Sequence, residues 1–171
     1  EKNYSHYQYF FKVVKGDPLP QIRVSHERKS REIPSASGVI LWNEPGDDGD
    51  TVSTAACGPE PFTVLAKDER EIPYVPLGRW ITIELTGDKQ PDEAILSDYI
   101  LKEDGSPRYD EKTVITTELE YDNHEMKFCL PTNVNAMLSS DMSAYMTGGI
   151  LRGFKLELVW DDGSRAEYGF I

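Results

Sequence analysis

The side chains in this sequence best suited to chemistry are closely spaced acids and a few aromatics. Asp47, Asp48 and Asp50 sit in a glycine-containing loop, Asn43-Glu44-Pro45-Gly46-Asp47-Asp48-Gly49-Asp50. Calcium takes six to eight hard oxygen ligands, and clustered aspartates on a pliable loop supply several. This loop is therefore the metal candidate, and calcium is the ion it would take, although the expectation for the chain is no cofactor. Its spacing is not that of an EF-hand, and acidic glycine loops on acidic proteins are more commonly just solvated.

Trp80 and Trp42 are the candidate ligand-binding aromatics, since stacked rings suit sugars. Trp80 shares a strand face with Thr82 and Glu84, opposite Ile81 and Ile83, which points it outward. Trp160 lies on the apolar face of its own strand and reads as core. The run Tyr4, Tyr7, Tyr9, Phe10 and Phe11 reads as an edge strand packed on the domain. For all these aromatics packing is the commoner role, because they dominate cores as well as interfaces.

Cys57 and Cys129 are the only cysteines. Bridged, they would close a loop of roughly 70 residues, worth about 4 kcal/mol by chain entropy. Bridging needs Cα atoms roughly 4.4–6.8 Å apart, so the pairing stays open at this level. Thirty acids make a carboxylate pair for glycoside hydrolysis easy to imagine. With that many acids, suitable separations also arise by accident.

Other catalytic signatures are missing. There is no G-x-S-x-G elbow, no phosphate-cradling glycine loop before Lys-Ser/Thr, and no H-E-x-x-H. His6, His26 and His124 belong to no motif and read as surface strand or turn residues. No histidine follows Cys129, which speaks against a blue-copper site. Asn3-Tyr4-Ser5 matches an N-glycosylation site, but one match in a chain of this length carries little.

The elements that would position these residues are strands. Ile81, Ile83 and Leu85 alternate with Thr82 and Glu84, and Ile115, Thr117, Leu119 and Tyr121 with Thr116, Glu118 and Glu120. Phe154, Leu156, Leu158 and Trp160 alternate with Lys155 and Glu157, and Ala166, Tyr168 and Phe170 with Arg165 and Glu167. Tyr7, Tyr9, Phe11 and Val13 do the same near the start. One wet and one buried face per strand is the habit of antiparallel sheets. Further strands are expected over 21–26, 39–42, 62–66, 94–101 and through Phe128.

Turn residues agree with this. Asp162-Gly163 joins two amphipathic strands, Asp104-Gly105 repeats that chemistry, and Asp122-Asn123 ends another strand. One short helix or irregular segment is expected around 133–146, ended by Gly148-Gly149. The expected fold is all-β: an antiparallel β-sandwich, immunoglobulin-like or jelly-roll-like, with residues 1–171 as a single domain. That likeness is to a fold only.

Charge narrows the partners. A net charge of −12 argues against nucleic acid, which needs a basic footprint. It equally opposes simple attraction to anionic lipid. Residues 1–34 run the other way, with seven bases to four acids, which suits a basic strand pair lying against an acidic sheet. No apolar run reaches the roughly 18 residues of a membrane helix. The chain starts at Glu1 without a charged, apolar leader, so the expectation is an exported chain whose leader has been removed.

The expected function is that of a non-enzymatic extracellular or cell-envelope domain with a binding or adhesion role. Its partner is expected to be a protein or glycan at the cell surface. The alternatives are a carbohydrate-binding module using exposed tryptophan, a carbohydrate hydrolase with a carboxylate pair, and a structural module of a larger assembly.

Overall fold

The period-two segments become strands of two antiparallel sheets. The structure is a computed structural model, and it describes residues 19–46, 49–68, 71–138 and 149–171. The N-terminal aromatic run, His6 and Asn3-Tyr4-Ser5 lie outside the described residues, as do Asp47, Asp48 and positions 139–146 of the expected helix.

The strands are β1 (Ile22–His26), β2 (Arg31–Ile33), β3 (Ser35–Pro45), β4 (Thr51–Cys57), β5 (Trp80–Leu85) and β6 (Glu93–Ile100). They continue with β7 (Ile115–Glu118), β8 (Tyr121–Asp122), β9 (Glu125–Cys129), β10 (Arg152–Val159) and β11 (Arg165–Phe170). One sheet runs β2-β1-β5-β9-β8 and the other β4-β3-β11-β10-β6-β7. Their inner faces enclose one core, in which Val24, Ile83, Met126 and Leu156 are completely buried. This is the β-sandwich that the alternation calls for.

The turn chemistry does what its residues allow. Gly163 takes φ +81° between β10 and β11, and Asp162 accepts from the Ser164 amide at 2.9 Å. Asn123 and His124 both take positive φ between β8 and β9, the conformation of a two-residue hairpin of the I′ type. Gly105 turns the chain after β6 at φ +82°. A single 3₁₀ turn, Glu111–Thr113, intervenes before β7.

Two expectations are corrected. Residues 62–66 form no strand but part of a helix, α1 (Pro61–Ala66). Proline at the first helical position and the Glu60 carboxylate, accepting from Thr63 N at 2.8 Å, start it. The strand expected at 39–42 is much longer, and it carries a bulge where β3 passes Glu167 of β11. Strand β4 gave no sequence signal, because as an exposed edge strand it has no buried face to mark. From the expected helix at 133–146, the described part is one 3₁₀ turn, Val134–Met137.

Tyr168 ties the core to the chain before β1. It is buried, and its hydroxyl donates to Pro20 O at 2.6 Å. Burial pushes its ionisation well above the ordinary tyrosine value of about 10. The folded state thus holds this proton more tightly than the unfolded chain. Its contribution is complete below pH about 10 and is lost as pH rises beyond that. Stability should therefore fall in alkaline solution, and Tyr168→Phe should remove most of that slope. Tyr99 and Tyr121, raised by milder burial, and Lys29, raised by its bonds to Glu125 and Glu84, contribute in the same direction. Urea unfolding of both forms from pH 8 to 11 checks this, and identical slopes would refute it.

Candidate functional site: a cavity with an ion pair in its wall

Strand β6 turns Ala94, Leu96, Asp98 and Ile100 toward the core. Asp98 is thus a carboxylate in an apolar row. On the neighbouring strand β10, Phe154 lies opposite Asp98 and Arg152 opposite Ile100. Residues two apart across a ladder share a face, so Arg152 reaches Asp98 diagonally.

The contact is a two-pronged ion pair. Arg152 Nε donates to Asp98 Oδ1 at 3.1 Å and Nη2 to Oδ2 at 2.5 Å. Asn133 Nδ2 adds a third bond to Asp98 Oδ2 at 2.9 Å, and Arg152 Nη1 donates to Pro131 O at 2.6 Å. The Asn133 side chain is oriented in turn by the Asn135 amide, which donates to its Oδ1 at 2.9 Å. The guanidinium also lies 5.1 Å from the centre of the Phe154 ring. The side chains are only 6% and 11% exposed, so the charges are held by each other and not by water.

Arg152, with Asp98 behind it, borders a cavity of about 520 Å³ at one end of the sandwich. Ile33 and Ile81 wall it from one sheet, Phe154 and Phe170 from the other. Tyr74 and Leu77, on the segment before β5, border it as well. Arg152, Asn133 and Thr132 supply polar groups in an otherwise apolar lining. A concave apolar space of a few hundred Å³ with a few convergent polar groups is the usual form of a small-molecule site. Tyr74 and Leu77 are themselves 72% and 58% exposed, so apolar surface continues outward from the cavity.

The residues singled out from sequence lie elsewhere. Trp80 is 63% exposed on the outer face of its sheet, across from Cys129. Trp42 is a correction: it is buried, edge-on to Trp160 with ring centres 4.9 Å apart, and Lys89 Nζ lies 4.4 Å from its ring centre. A ring so enclosed offers no stacking face. Cys57 and Cys129 are free and exposed, on strands of different sheets, and form no disulfide.

Asp50 is exposed, and its backbone oxygen accepts from the Gly46 amide. No group of three or more potential metal ligands occurs among the described residues. Among the buried described residues Asp98 is the one carboxylate, and Arg152 and Asn133 engage both its oxygens.

His26 also departs from expectation. It is buried rather than at the surface, on the same inward face as Val24, and among the described residues neither ring nitrogen has a hydrogen-bond partner. The outer face of that sheet carries charges instead. There Lys29 bonds Glu84 at 2.8 Å and also Glu125, which pairs with Lys127 at 2.6 Å. The two lysines hold the Glu125 carboxyl below the usual range.

Sequence reading missed Asp98, Asn133 and Arg152. A signal existed for the first: a charge at an inward position of β6 demands a partner. Where that partner comes from is a matter of sheet order.

The site thus belongs to a two-sheet antiparallel β-sandwich with an end cavity. No family model matches the chain, and neither does any curated protein or solved structure. No helix among the described residues is long and apolar enough to cross a membrane.

Proposed function

We propose that this chain is a non-enzymatic binding domain of the extracellular space or cell envelope, and that its binding site is the end cavity. The observation that carries the reading is an apolar cavity of about 520 Å³ with Arg152 and Asn133 in its wall. Such a cavity accepts an apolar body and orients it with a few hydrogen bonds. The chemistry of the lining supports the non-enzymatic part of this reading. Its charged group, Arg152, is committed to Asp98, and neither residue is placed as a general acid or base.

The test is a thermal-shift screen on wild type and Gly149→Leu. Gly149 lines the cavity, and a Cβ there meets Tyr74 at 4.0 Å, an ordinary contact, so a larger side chain can start from this position toward the cavity. Small apolar compounds should raise the melting temperature of wild type. At a hundred times the dissociation constant the stabilisation is about 2.7 kcal/mol. For a domain of this size that is roughly 5–10 °C. Gly149→Leu should melt normally yet lose the response. An equal response in both forms would place binding elsewhere.

A second reading keeps the carbohydrate-binding alternative, because Trp80 is the one exposed tryptophan of the three. Oligosaccharides in the same screen should then change tryptophan emission, and Trp80→Ala should abolish the change. Calcium is a further arm of the screen, for the loop carrying Asp47, Asp48 and Asp50. A calcium shift lost in Asp50→Ala would assign the metal there.

A further inference from the structure

The cavity's charge balance selects among ligands. We infer that it takes a small amphipathic molecule with an uncharged, hydrogen-bond-accepting head, and that it discriminates against the same molecule with an anionic head. The inference rests on the reading of the cavity as a binding site.

Arg152 carries the only charged side chain of the described cavity lining, and alone it would attract anions. It is not alone. Asp98 lies against it in a two-pronged contact, with both side chains nearly buried, so the wall is close to neutral overall. A carboxylate or phosphate entering beside this pair would bring a net negative charge into an apolar space, next to an existing carboxylate. Burying an unbalanced charge is strongly unfavourable. The −12 charge of the whole chain adds repulsion at longer range.

Hydrogen-bonding capacity points the same way. A guanidinium has five N–H donors and no acceptor. The described partners of Arg152 account for three of them, two on Asp98 and one on Pro131 O. The Asn133 amide gives one N–H to Asp98, and its oxygen receives the Asn135 amide. What Arg152 and Asn133 have left to offer is therefore donors, and they suit a carbonyl, ether or hydroxyl oxygen. The remainder of the lining, including Ile33, Ile81, Phe154 and Phe170, suits an alkyl or ring body.

Two pairs of probes with matched tails test this at pH 8: 1-decanol against decanoate, and methyl decanoate against decanoate. Each is titrated calorimetrically into the full chain. A carboxyl is ionised at that pH, so the heads differ chiefly in charge. Both neutral probes should bind at least tenfold more tightly than decanoate, and Gly149→Leu should weaken all three.

Asp98→Asn removes the balancing charge and leaves Arg152 in place. In that variant the preference should narrow or reverse in favour of decanoate. If circular dichroism shows that Asp98→Asn does not fold, the wild-type preference in the two probe pairs decides the matter alone. Equal or tighter binding of decanoate to wild type would overturn the inference while leaving the cavity as a binding site. Failure of all three probes to bind would overturn the inference and the binding reading together.

Discussion

Replacing Asp98 with alanine is expected to destabilise the domain by about 3–5 kcal/mol, since removing one partner strands the other charge in the interior. Arg152 would lose two of its hydrogen bonds while remaining only 11% exposed, and the Asn133 amide would lose its acceptor. For a domain of this length the melting temperature should drop by on the order of 10 °C. Replacing both charges, with Asp98→Leu and Arg152→Met together, should cost far less than Asp98→Ala alone. The apolar pair would pack beside Phe154 and leave no unpaired ion. Urea unfolding of the three proteins measures the difference. A loss below about 1 kcal/mol for Asp98→Ala would mean that water already reaches Arg152, contrary to a buried pair.

The second large effect concerns α1, which covers the outer face of the six-stranded sheet. Phe62, only 1% exposed, drops its ring into a notch between two glycines on adjacent strands. A Cβ at Gly153 would come within 2.9 Å of Phe62 Cε1 and 2.6 Å of Leu101 Cδ1. A Cβ at Gly169 would stand 2.5 Å from Pro61 Cβ and 3.3 Å from Phe62 Cε1. Phe62, Leu65, Leu101 and Ile171 form a small core of their own there.

Phe62→Ala should therefore cost about 3–5 kcal/mol, the range for large aromatic truncations. The α1 amides should lose hydrogen-exchange protection before the strands do. Gly153→Ala should also be destabilising, because the ring and Leu101 must move. In a Phe62→Ala background the same change should cost less, since one clashing partner is gone. Strict additivity of the two substitutions would show that Phe62 does not occupy the notch.

How much of this was legible in the sequence depended on whether neighbours marked a face. Trp80 could be placed outward because Ile81, Ile83 and Leu85 define the buried side of β5. Trp42 could not be placed, because Val39, Ile40 and Leu41 are all apolar and mark neither side. The bulge in β3 shifts the parity there, and pairing with β11 sends Ile40 and Trp42 inward. Residues 62–66 are ambiguous in the same way. Phe-Thr-Val-Leu-Ala alternates well enough for a strand, and only the Glu60-Pro61 start and the glycine notch make it a helix.

By itself the sequence determined the class of fold and its turns. Alternation is a property of each strand alone, and positive φ at Asp-Gly and Asn-His turns is a property of the residues in them. The candidate site was decided only by tertiary structure. Asp98 and Arg152 are 54 positions apart, and His26 becomes buried through pairing with β5. Which strands lie side by side, and which ends of two sheets enclose a cavity, depends on the packing of the whole core. No local pattern of residues carries that information, because many strand orders bury the same alternating faces equally well.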